Sequence, residues 1–542
     1  MHTERVVMRT AQEQQTRDVL LLQRSRRWLW RLCLNHGGLL AVLGVALVFR
    51  LIYLQWFKAF PPGDVFNFIN IARSLPQGQY PLGEKRLPFY PVLLLAARTF
   101  FDWELAAIVV AVSASLASLI FLYGIGRSLG LSKTALAAGL LLFQSQPFFL
   151  IASGRGYADT TLIALVLGSL LALFRTRTWR GALVTGFLLG AAALTRYEGL
   201  AAALAIFLLS FALPLRRSRA LPIVSLGMFL LTLAPYAVVA VLNDRPVFGT
   251  GYLAEAAATT YGSNAREIRE NAVIIWKRAG LIGSWNIPRD MVREILESPL
   301  NTPRVIAGYV TDPALALGFF ATIGALLLFF SKKWRKLLFL LFGYAAATIP
   351  PAWYEPYPRY DIFVLPLAVI LFAAGLTGMQ RILAWGTNGI QGKVVRILAG
   401  LGMLSVVAGF WMMGFAAQVR TQQQKHNGQA YAFYQAIHAA RRLHGTIAFE
   451  KEPDIIHLYF GGRAVFLQRL VKQGQKTQEI LSTLRQTGVT TLVLRAEEAE
   501  RYPFLEDPSI QLVQSFAWEQ GNRDIDRAAI YRLSESATSV VR

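Results

Sequence analysis

Residues 61–91 read PPGDVFNFINIARSLPQGQYPLGEKRLPFYP, and the rest of the chain is organised around this stretch. It follows the first strongly apolar segment directly and places Asp64 just beyond the end of that segment. A carboxylate at a membrane boundary is costly unless water, a cation or a reaction uses it. An amphipathic run from Val65 to Leu75 comes next, and Arg86-Leu-Pro-Phe-Tyr-Pro91 precedes another apolar run. We therefore expect the functional chemistry of this chain at a membrane boundary.

The composition of the whole chain is that of a polytopic membrane protein. Of its 542 residues, 54% are hydrophobic and 16% are charged, and the mean hydropathy of +0.41 is too high for a soluble protein. A net charge of +23 could indicate nucleic-acid binding, but the basic residues form short clusters between apolar runs, where they set membrane topology. We therefore expect an α-helical fold in a lipid bilayer and no nucleic-acid partner.

The residues before the first apolar run predict how the chain enters the membrane. These 36 residues contain seven arginines and no lysine, and no small-residue cleavage pattern follows the run. This predicts a retained first helix with the N-terminus in the cytoplasm. The single cysteine, Cys33, excludes an intrachain disulfide and a cysteine metal cluster.

Apolar segments of about 20 residues predict eleven membrane spans. They are 37–57, 104–124, 131–150, 159–174, 180–195, 198–214, 220–242, 313–331, 336–351, 361–379 and 397–417. The run at 88–101 is only about 14 residues long and is bounded by proline, so it predicts a re-entrant or interfacial helix. Counting it as a span would invert the positions of all later loops.

The loops between these spans alternate in charge. One set carries the basic clusters, and by the positive-inside rule it faces the cytoplasm. This set contains Arg24, Arg26, Arg27, Arg127, Lys133, Arg175, Arg177, Arg180, Arg216, Arg217, Arg219, Lys332, Lys333, Arg335, Lys336, Arg381, Lys393 and Arg396. The other set then faces outward, and nearly every unusual polar residue falls on it. Its members are 61–91, 153–159, 196–198, 243–311, 350–361 and the chain after about 418.

Three regions follow from this pattern. Residues 1–36 are a basic cytoplasmic N-terminus, and 37–417 form the membrane domain with a first outer loop at 58–103 and a large outer loop at 243–312. Residues 418–542 predict a small extracytoplasmic α/β domain. Its β-like runs are 446–449, 464–467, 490–494, 510–516 and 528–532, and its helix-like runs are 429–443 and 476–486. It contains no phosphate loop, metal-ligand spacing or nucleophile elbow, so we expect an accessory role for it.

Two carboxylates stand out among the outward-facing residues. Asp64 follows the first span, and by itself it would be an ordinary helix-terminating or loop residue. Asp159 opens a later span after Arg155-Gly-Tyr157-Ala, and its ordinary role would be that of a helix N-cap or a residue that interacts with the helix dipole. A divalent metal shared by Asp64 and Asp159 stays an open alternative, and the sequence requires no cofactor.

Arginines accompany these carboxylates. Leu194-Thr-Arg196-Tyr197-Glu198-Gly199 lies between two spans, where the arginine either forms a tight turn with Glu198 or grips a phosphate bidentately. Residues 353–361 read WYEPYPRYD; aromatics are expected at any membrane interface, so Arg359 is the informative residue there. Arg50 lies inside the first span, where it either extends outward to the interface or neutralises a lipid phosphate.

These residues together resemble a known superfamily, the GT-C glycosyltransferases. The features that carry the resemblance are an aspartate after the first membrane helix, an outer loop ending in R-x-P-x-Y-P, an acidic residue opening the fourth span, an L-T-R-x-E-G turn and a late P-R-Y. The branch they resemble most is the protein-O-mannosyltransferase-like enzymes, including lipid A aminoarabinose transferase. The resemblance covers residues 40–420 approximately.

The resemblance implies a function and a set of roles. The implied reaction transfers a sugar from a polyprenyl-phosphate donor to a lipid, glycan or protein acceptor at the outer surface of a bacterial inner membrane. Asp64 matches the catalytic aspartate of the family, Asp159 its second acidic residue and Arg359 a donor-phosphate contact. Further candidates for substrate binding are Arg86, Arg155, Arg196, Tyr360, Glu198 and Tyr90. Many members have H-P-P or R-P-P where this chain has Arg86-Leu87-Pro88, so the role of Arg86 stays open.

The residue chemistry agrees with this implication. An acceptor hydroxyl that attacks an anomeric carbon needs a base, and the departing phosphate needs cationic stabilisation. A free aspartate has a pKa of about 3.9, and we expect partial desolvation at the membrane boundary to raise the pKa of Asp64. In-line displacement would invert the anomeric centre.

Two other function classes compete with a transferase. A transporter or flippase for lipid-linked sugars would concentrate polar groups and broken helices near the bilayer midplane, whereas most of the predicted spans lack central charges. A sensor anchored by its helices would not require eleven spans. Release of polyprenyl phosphate by the purified protein would distinguish an enzyme from both.

Overall fold

The chain folds as an integral, multi-pass α-helical membrane protein with a small C-terminal α/β domain. The computed structural model describes residues 36–55, 63–80, 86–175, 178–213, 220–242, 265–278, 293–294, 296–297, 313–353, 358–383, 431–450, 454–471, 475–520 and 523–534. Among these residues, 6 helices are long and apolar enough to cross a membrane, and 7 if one bent helix pair forms a single span.

The membrane domain contains fourteen named helices in its described part. In chain order they are α1 (His36–Gln55), α2 (Gly63–Ser74), α3 (Phe89–Arg98), α4 (Trp103–Ser128), α5 (Lys133–Gln144), α6 (Pro147–Gly154), α7 (Ala158–Arg175), α8 (Trp179–Ala193), α9 (Tyr197–Ala212), α10 (Ala220–Leu242), α11 (Ala265–Arg278), α12 (Pro313–Phe329), α13 (Trp334–Trp353) and α14 (Asp361–Leu383).

The predicted spans correspond to these helices to different degrees. Helices α1, α4, α7, α10, α13 and α14 are long enough to cross the bilayer, whereas α8, α9 and α12 are shorter apolar helices. The predicted span at 131–150 is a bent pair, because α5 and α6 meet at 67°. The predicted span at 397–417 lies outside the described residues. The number of eleven spans therefore stays a prediction.

The apolar run at 88–101 forms the short helix α3. Its 10 residues extend over about 15 Å, which is half of a hydrocarbon core of about 30 Å. The backbone N–H of Phe89 donates to the carbonyl of Leu194 at 2.9 Å, so the start of α3 is attached to the α8–α9 turn. This length agrees with the re-entrant or interfacial helix that the sequence predicts.

Helix α14 is the central helix of the membrane domain. Of its 18-residue apolar window, 94% is buried inside the protein, against 22% for α1 and for α10. It crosses α12 with the two backbones in contact, because a Cβ atom on Gly375 would collide with the carbonyl of Phe320 and one on Gly324 with the carbonyl of Leu371. Since α14 starts at Asp361, this packing determines where the preceding turn, Pro358–Tyr360, lies.

The described helix ends separate into two sides. On one side, Lys336 donates to the carbonyl of Ser128 at 3.2 Å, and Arg381 donates to the carbonyl of Gly130 at 3.3 Å. These contacts bring together basic loops that are far apart in sequence. The starts of α7, α9 and α14 meet at the other side, where Arg196 contacts Asp159, Glu198 and Phe363.

The C-terminal domain is built on a five-stranded mixed sheet, and the five β-like runs of the sequence correspond to its strands. Its elements are α15 (Tyr431–Ala440), β1 (Thr446–Phe449), α16 (Asp454–Phe460), β2 (Ala464–Phe466), α17 (Leu467–Leu470), α18 (Thr477–Gln486), β3 (Val489–Arg495), α19 (Ala496–Ala499), β4 (Ile510–Gln520) and β5 (Arg523–Leu533). The strand order is β2-β1-β3-β5-β4. Strands β2, β1 and β3 pair in parallel, and β5 pairs antiparallel with β3 and β4. The short helices α16, α17 and α19 were not predicted from the sequence.

Candidate active site

Asp64 lies in the first turn of α2 and accepts from two arginines. Its Oδ1 accepts from Nη2 of Arg86 at 2.9 Å, and its Oδ2 accepts from Nη1 of Arg359 at 3.1 Å. The Asp64 side chain keeps 42% of its surface exposed. The amphipathic run predicted after Asp64 is this helix, and it buries Val65, Phe66 and Ile69. The carboxylate is therefore both held by the protein and open to a reactant.

Aromatic rings support the two arginines. The guanidinium group of Arg86 lies 5.7 Å from the centre of the Phe68 ring. That of Arg359 lies 5.9 Å from the ring of Tyr157 and 5.1 Å from the ring of Tyr360. Such cation–π contacts fix the orientation of a guanidinium group without neutralising it. The contacts of Phe68 and Tyr157 with arginine were not predicted from the sequence.

Asp159, Arg196 and Glu198 form a second, more deeply buried group. Arg196 donates to Oε2 of Glu198 from Nε at 3.1 Å and to Oε1 from Nη2 at 2.9 Å. Its Nη1 lies 3.4 Å from Oδ1 of Asp159. Both acidic side chains are almost completely buried. Within the described part of the chain, neither carboxylate oxygen of Asp159 has a hydrogen-bond partner. Arg196 therefore carries the charge that compensates both acids.

Residues 359–363 connect the two groups. Nη2 of Arg359 donates to the hydroxyl of Tyr360 at 3.2 Å, and Tyr360 stacks on Phe363. Phe363 in turn lies 5.8 Å from the guanidinium carbon of Arg196. We call the six charged side chains the charged cluster. Its members are Asp64, Arg86, Asp159, Arg196, Glu198 and Arg359.

The electrostatics of Asp64 differ from the sequence-based expectation. Burial by itself would raise the pKa of the Asp64 carboxyl, but the guanidinium groups of Arg359 and Arg86 outweigh burial and lower the pKa to about 2. The expected rise of the pKa is therefore wrong for this state of the protein. The reason is that desolvation was considered without the two arginines, which the fold brings to the carboxylate.

The same charges act on the arginines. Burial lowers the pKa of Arg359, but Asp159 and Tyr360 raise it overall. For Arg196 the burial effect is likewise outweighed, here by Asp159 and Glu198. Both guanidinium groups therefore stay charged, and the cluster holds permanent cations next to the exposed carboxylate of Asp64.

The remaining predicted residues lie around the cluster. Tyr90 is completely buried, and its hydroxyl donates to the carbonyl of Gly156 at 2.5 Å. It therefore supports the turn between α6 and α7, where Gly156 has a φ of 77°. Arg155 is half-buried at the C-terminal end of α6, next to that turn.

Arg50 does not extend towards the interface, contrary to the sequence-based hypothesis. It is completely buried, and its Nε donates to the hydroxyl of Ser115 at 2.8 Å. Its Nη1 donates to the carbonyl of Ala46 at 2.9 Å. The guanidinium group thus joins α1 to α4, because a buried charge must find partners inside the protein.

The charged cluster suits an anion better than a metal ion. Asp64 and Asp159 each lie beside an arginine, and a guanidinium group repels a cation at the same carboxylate. Among the described residues, no group of three or more His, Cys, Asp or Glu side chains is arranged to hold a metal. The donor set at Asp64 therefore does not fit the divalent metal that the sequence left as an alternative.

Comparison with known proteins shows the fold. No family model matches the chain, and no curated protein does. Among solved structures, 14 chains are similar. One is ArnT from Cupriavidus metallidurans bound to undecaprenyl phosphate, with a TM-score of 0.54 and 14% identity over 92% of this chain and 99% of that chain. The apo state of that ArnT gives a TM-score of 0.51 and 14% identity over 92% and 98% of the two chains.

ArnT is a lipid A aminoarabinose transferase with the GT-C fold. The likeness spans nearly the full length of both chains. The GT-C fold that the resemblance implies is thereby confirmed at the level of architecture. At 14% identity, the likeness concerns the fold alone.

Proposed function

We propose that this protein is a membrane glycosyltransferase that moves a sugar from a polyprenyl-phosphate donor to an acceptor hydroxyl on the outer side of the membrane. The observation that carries the proposal is the half-exposed carboxylate of Asp64 between two arginines. This arrangement combines a base with cations for a departing phosphate. Further support comes from the fold shared with ArnT, one structure of which contains undecaprenyl phosphate.

In the proposed reaction, Asp64 acts as the general base. The acceptor hydroxyl gives its proton to the carboxylate while its oxygen forms a bond to the anomeric carbon. The bond between that carbon and the phosphate oxygen breaks, and the electron pair leaves with the polyprenyl phosphate. Attack opposite to the leaving group inverts the anomeric centre. Arg359 stabilises the charge that develops on the phosphate.

The low pKa of Asp64 gives the donor a second role. In the resting protein both oxygens of the carboxylate accept from arginines, and with a pKa of about 2 it is a weak base. A donor phosphate that binds Arg359 would draw this guanidinium group away from Asp64. The carboxylate would then keep Arg86 alone, its pKa would rise and it would become a stronger base. Base activation is thus coupled to donor binding.

Arg359 has the features that such an exchange of partners requires. Its side chain is 33% exposed, and within the described residues its buried Nε has no hydrogen-bond partner. Its pairing with Asp64 uses Nη1, whereas Nη2 bonds to Tyr360. A phosphate can therefore replace Asp64 at Nη1 while the bond of Nη2 to Tyr360 keeps the guanidinium group in place.

In this proposal, the buried residues Asp159, Arg196 and Glu198 support the donor phosphate and the arginines around it. Asp159 and Glu198 hold Arg196 in place, and Asp159 keeps Arg359 charged. We assign Arg196 and Tyr360 to the support of the donor phosphate and Asp159 to the electrostatic preorganisation of both arginines. Arg155 lies next to the α6–α7 turn, and the buried Tyr90 supports this turn through its bond to Gly156. The acceptor class, whether lipid, glycan or protein, and the identity of the sugar are left open.

The proposed setting is the inner membrane of a bacterium. The basic loops on one side support a cytoplasmic location for that side, including the N-terminus at 1–36. The charged cluster and the C-terminal domain, assigned to 418–542, then lie outside the cytoplasm, and residues 37–417 make up the membrane domain.

The decisive test replaces Asp64 by asparagine. Purified protein in lipid nanodiscs is given a panel of undecaprenyl-phosphate sugars and membrane extract as the acceptor source, and release of undecaprenyl phosphate is measured. Asp64→Asn should lower the rate by about 10²- to 10⁴-fold, the range for the loss of a general base. Wild-type turnover in Asp64→Asn would remove this residue as the base.

The matched control is Asp102→Asn. Asp102 also begins a helix on the same stretch of chain, and its carboxylate accepts from the backbone of Leu105 at 2.9 Å. Asparagine can keep this cap, so the variant should retain full activity. Movement of the donor across the bilayer without release of undecaprenyl phosphate would favour a flippase instead.

A further inference from the structure

The C-terminal domain packs directly on the helix that carries Asp64. Its helix α16 contacts α2, and Ile455, Ile456 and Phe460 share one apolar core with Phe66 and Ile69 of α2. Ile455 and Ile456 are 1% and 0% exposed. Both isoleucines are thus completely buried in the core that the C-terminal domain shares with α2.

Helix α2 needs two surfaces to cover its apolar residues. The buried positions are Val65, Phe66, Phe68, Ile69, Ile71 and Ala72. At 100° per residue they span about 220° of the helix circumference, more than one packed neighbour covers. Tyr90 and Leu94 of α3 belong to the same core, so α2 lies between α3 and the C-terminal domain. A helix of 12 residues is only marginally stable without such packing.

A polar contact fastens the same domain to α4. The hydroxyl of Tyr459 donates to Oε1 of Glu104, which belongs to the first turn of α4. Nε2 of His438 lies 3.3 Å from the same oxygen. The guanidinium group of Arg441 covers the ring of Tyr459 at 3.7 Å. Tyr459 and Ile456 belong to the same short helix, so the polar and apolar contacts position one element.

We infer that the C-terminal domain is a positioning element of the active site, in which α16 holds α2 so that Asp64 meets Arg86 and Arg359. The inference rests on the proposed function, and it replaces the accessory role expected for this domain. Ile456 and Tyr459 are the positioning residues, and they act through α2 and α4 without touching a substrate. Displacing a catalytic group by about 1 Å can lower a rate about 100-fold, so a small movement of α2 is sufficient.

The apolar and the polar contacts of α16 have different effects. The apolar core holds α2 by its side, which leaves the Asp64 end of the helix open. The Tyr459–Glu104 bond fixes α16 to α4, and α4 packs against α3. The three helices α2, α3 and α4 thus share the C-terminal domain as a common support.

The test compares Tyr459→Phe and Ile456→Ala with Tyr502→Phe in the full-length protein. Tyr502 makes the same kind of bond, from its hydroxyl to Glu450, but entirely within the C-terminal domain. Hydrogen exchange of the 63–74 backbone is measured in nanodiscs. We expect faster exchange there by about tenfold in Tyr459→Phe and more in Ile456→Ala, with the Tyr502→Phe variant like wild type.

Kinetics provide the second readout. The rate of undecaprenyl phosphate release should fall about tenfold in kcat for Tyr459→Phe, while KM for the donor stays within about twofold, because the donor contacts are intact. General destabilisation would lower the fraction of active protein in Tyr459→Phe and Tyr502→Phe alike. Equal effects of these two variants would overturn the inference.

Exchange at 63–74 that stays at the wild-type rate in Tyr459→Phe would also overturn it. If Ile456→Ala does not fold, Tyr459→Phe decides, because it removes a single oxygen at the edge of the domain. Hydrogen exchange does not depend on catalysis. Absence of transferase activity in the wild type would therefore refute the proposed function and leave the positioning of α2 to be judged by exchange.

Discussion

Asp64 accepts a hydrogen bond from a different arginine on each carboxylate oxygen, and this detail determines how the site can work. Arg86 follows it by 22 positions in the chain and Arg359 by 295. The first partner belongs to the same loop, and the second arrives through the packing of the membrane domain. A carboxylate between two such cations is stable in its ionised form and becomes reactive when one of them leaves.

Replacing Arg359 by alanine should weaken the use of donor. We expect the activation free energy for kcat/KM with the donor to rise by about 2 to 4 kcal/mol, the range for losing one charged partner once the bound donor covers the site. Lysine at this position should restore only part of the activity, because it keeps the charge and loses the planar fork. Donor affinity is measured by titration with undecaprenyl-phosphate sugar. It should be highest in the wild type, lower in Arg359→Lys and lowest in Arg359→Ala.

The control for this prediction is Arg98→Ala. Arg98 lies at the end of α3 over the ring of Trp103 and donates to the carbonyl of Phe101 at 3.0 Å, away from the charged cluster. Its loss should leave donor affinity unchanged. Equal donor binding by wild type and Arg359→Ala would return Arg359 to a structural role in the aromatic belt.

Replacing Arg86 by glutamine should change the pH dependence of the reaction. The pKa of Asp64 is lowered to about 2, so in the free enzyme the base is ionised above that pH and is lost only as the pH falls through it. Removing one guanidinium group leaves burial and Arg359, and the pKa should rise. The acid limb of the kcat/KM profile should therefore move to higher pH.

A profile that keeps its acid limb in Arg86→Gln would mean that Asp64 is not the group that titrates there. Arg98→Gln serves as the control for a general loss of positive charge and should leave the profile unchanged. The experiment also tests the role of Arg86, which the Arg86-Leu87-Pro88 sequence left open.

At the scale of elements, α14 determines where the cationic side of the site lies. The helix starts directly after Arg359 and Tyr360, and it is buried over nearly its full length. Its crossing with α12 depends on Gly375 and Gly324, at which no side chain fits. The geometry of the site therefore depends on a contact in the middle of the membrane domain.

Gly375→Ala should destabilise the protein in spite of the higher helix propensity of alanine. In an unpacked helix, this exchange would stabilise by up to about 1 kcal/mol. At the α12–α14 crossing the added methyl group meets the backbone of Phe320, and we expect a net cost of about 1 to 3 kcal/mol from overpacking. Thermal unfolding in nanodiscs measures it.

Gly227→Ala is the matched control, because it lies in α10 with open space around its Cβ position. This variant should be neutral or slightly more stable. An unchanged or raised unfolding temperature in Gly375→Ala would show that α12 and α14 can move apart without loss of stability. The close contact between them would then not determine the position of Arg359.

For the whole molecule, the two sides of the membrane domain can be assigned by experiment. The charge alternation predicts that the C-terminal domain lies outside the cytoplasm. A reporter that is active only in the cytoplasm should therefore be silent when fused after Arg542 and active when fused before Met1. The opposite pattern would invert the topology and move the charged cluster to the cytoplasmic side.

The sequence by itself determined the class of protein and most of the elements. Apolar length, charge alternation and short-range periodicity are local properties, so they predicted a polytopic membrane fold and the five strands of the C-terminal sheet. They also predicted the amphipathic run at 65–75, which is α2, and Asp64 directly before it. The sequence also predicted that Asp64, Asp159, Arg196 and Arg359 lie on one side, because successive loops lie on opposite sides of the membrane.

Which of these groups meet depends on the packing of the helices in three dimensions. Arg359 reaches Asp64 through the packing of α14 against α12, and the resulting charges reverse the expected direction of the pKa shift. The burial of Arg50 against Ser115, the bend between α5 and α6 and the seating of α16 on α2 likewise depend on contacts between segments far apart in the chain. Such contacts depend on how the shapes of packed surfaces fit together, and a local pattern of residues does not predict them.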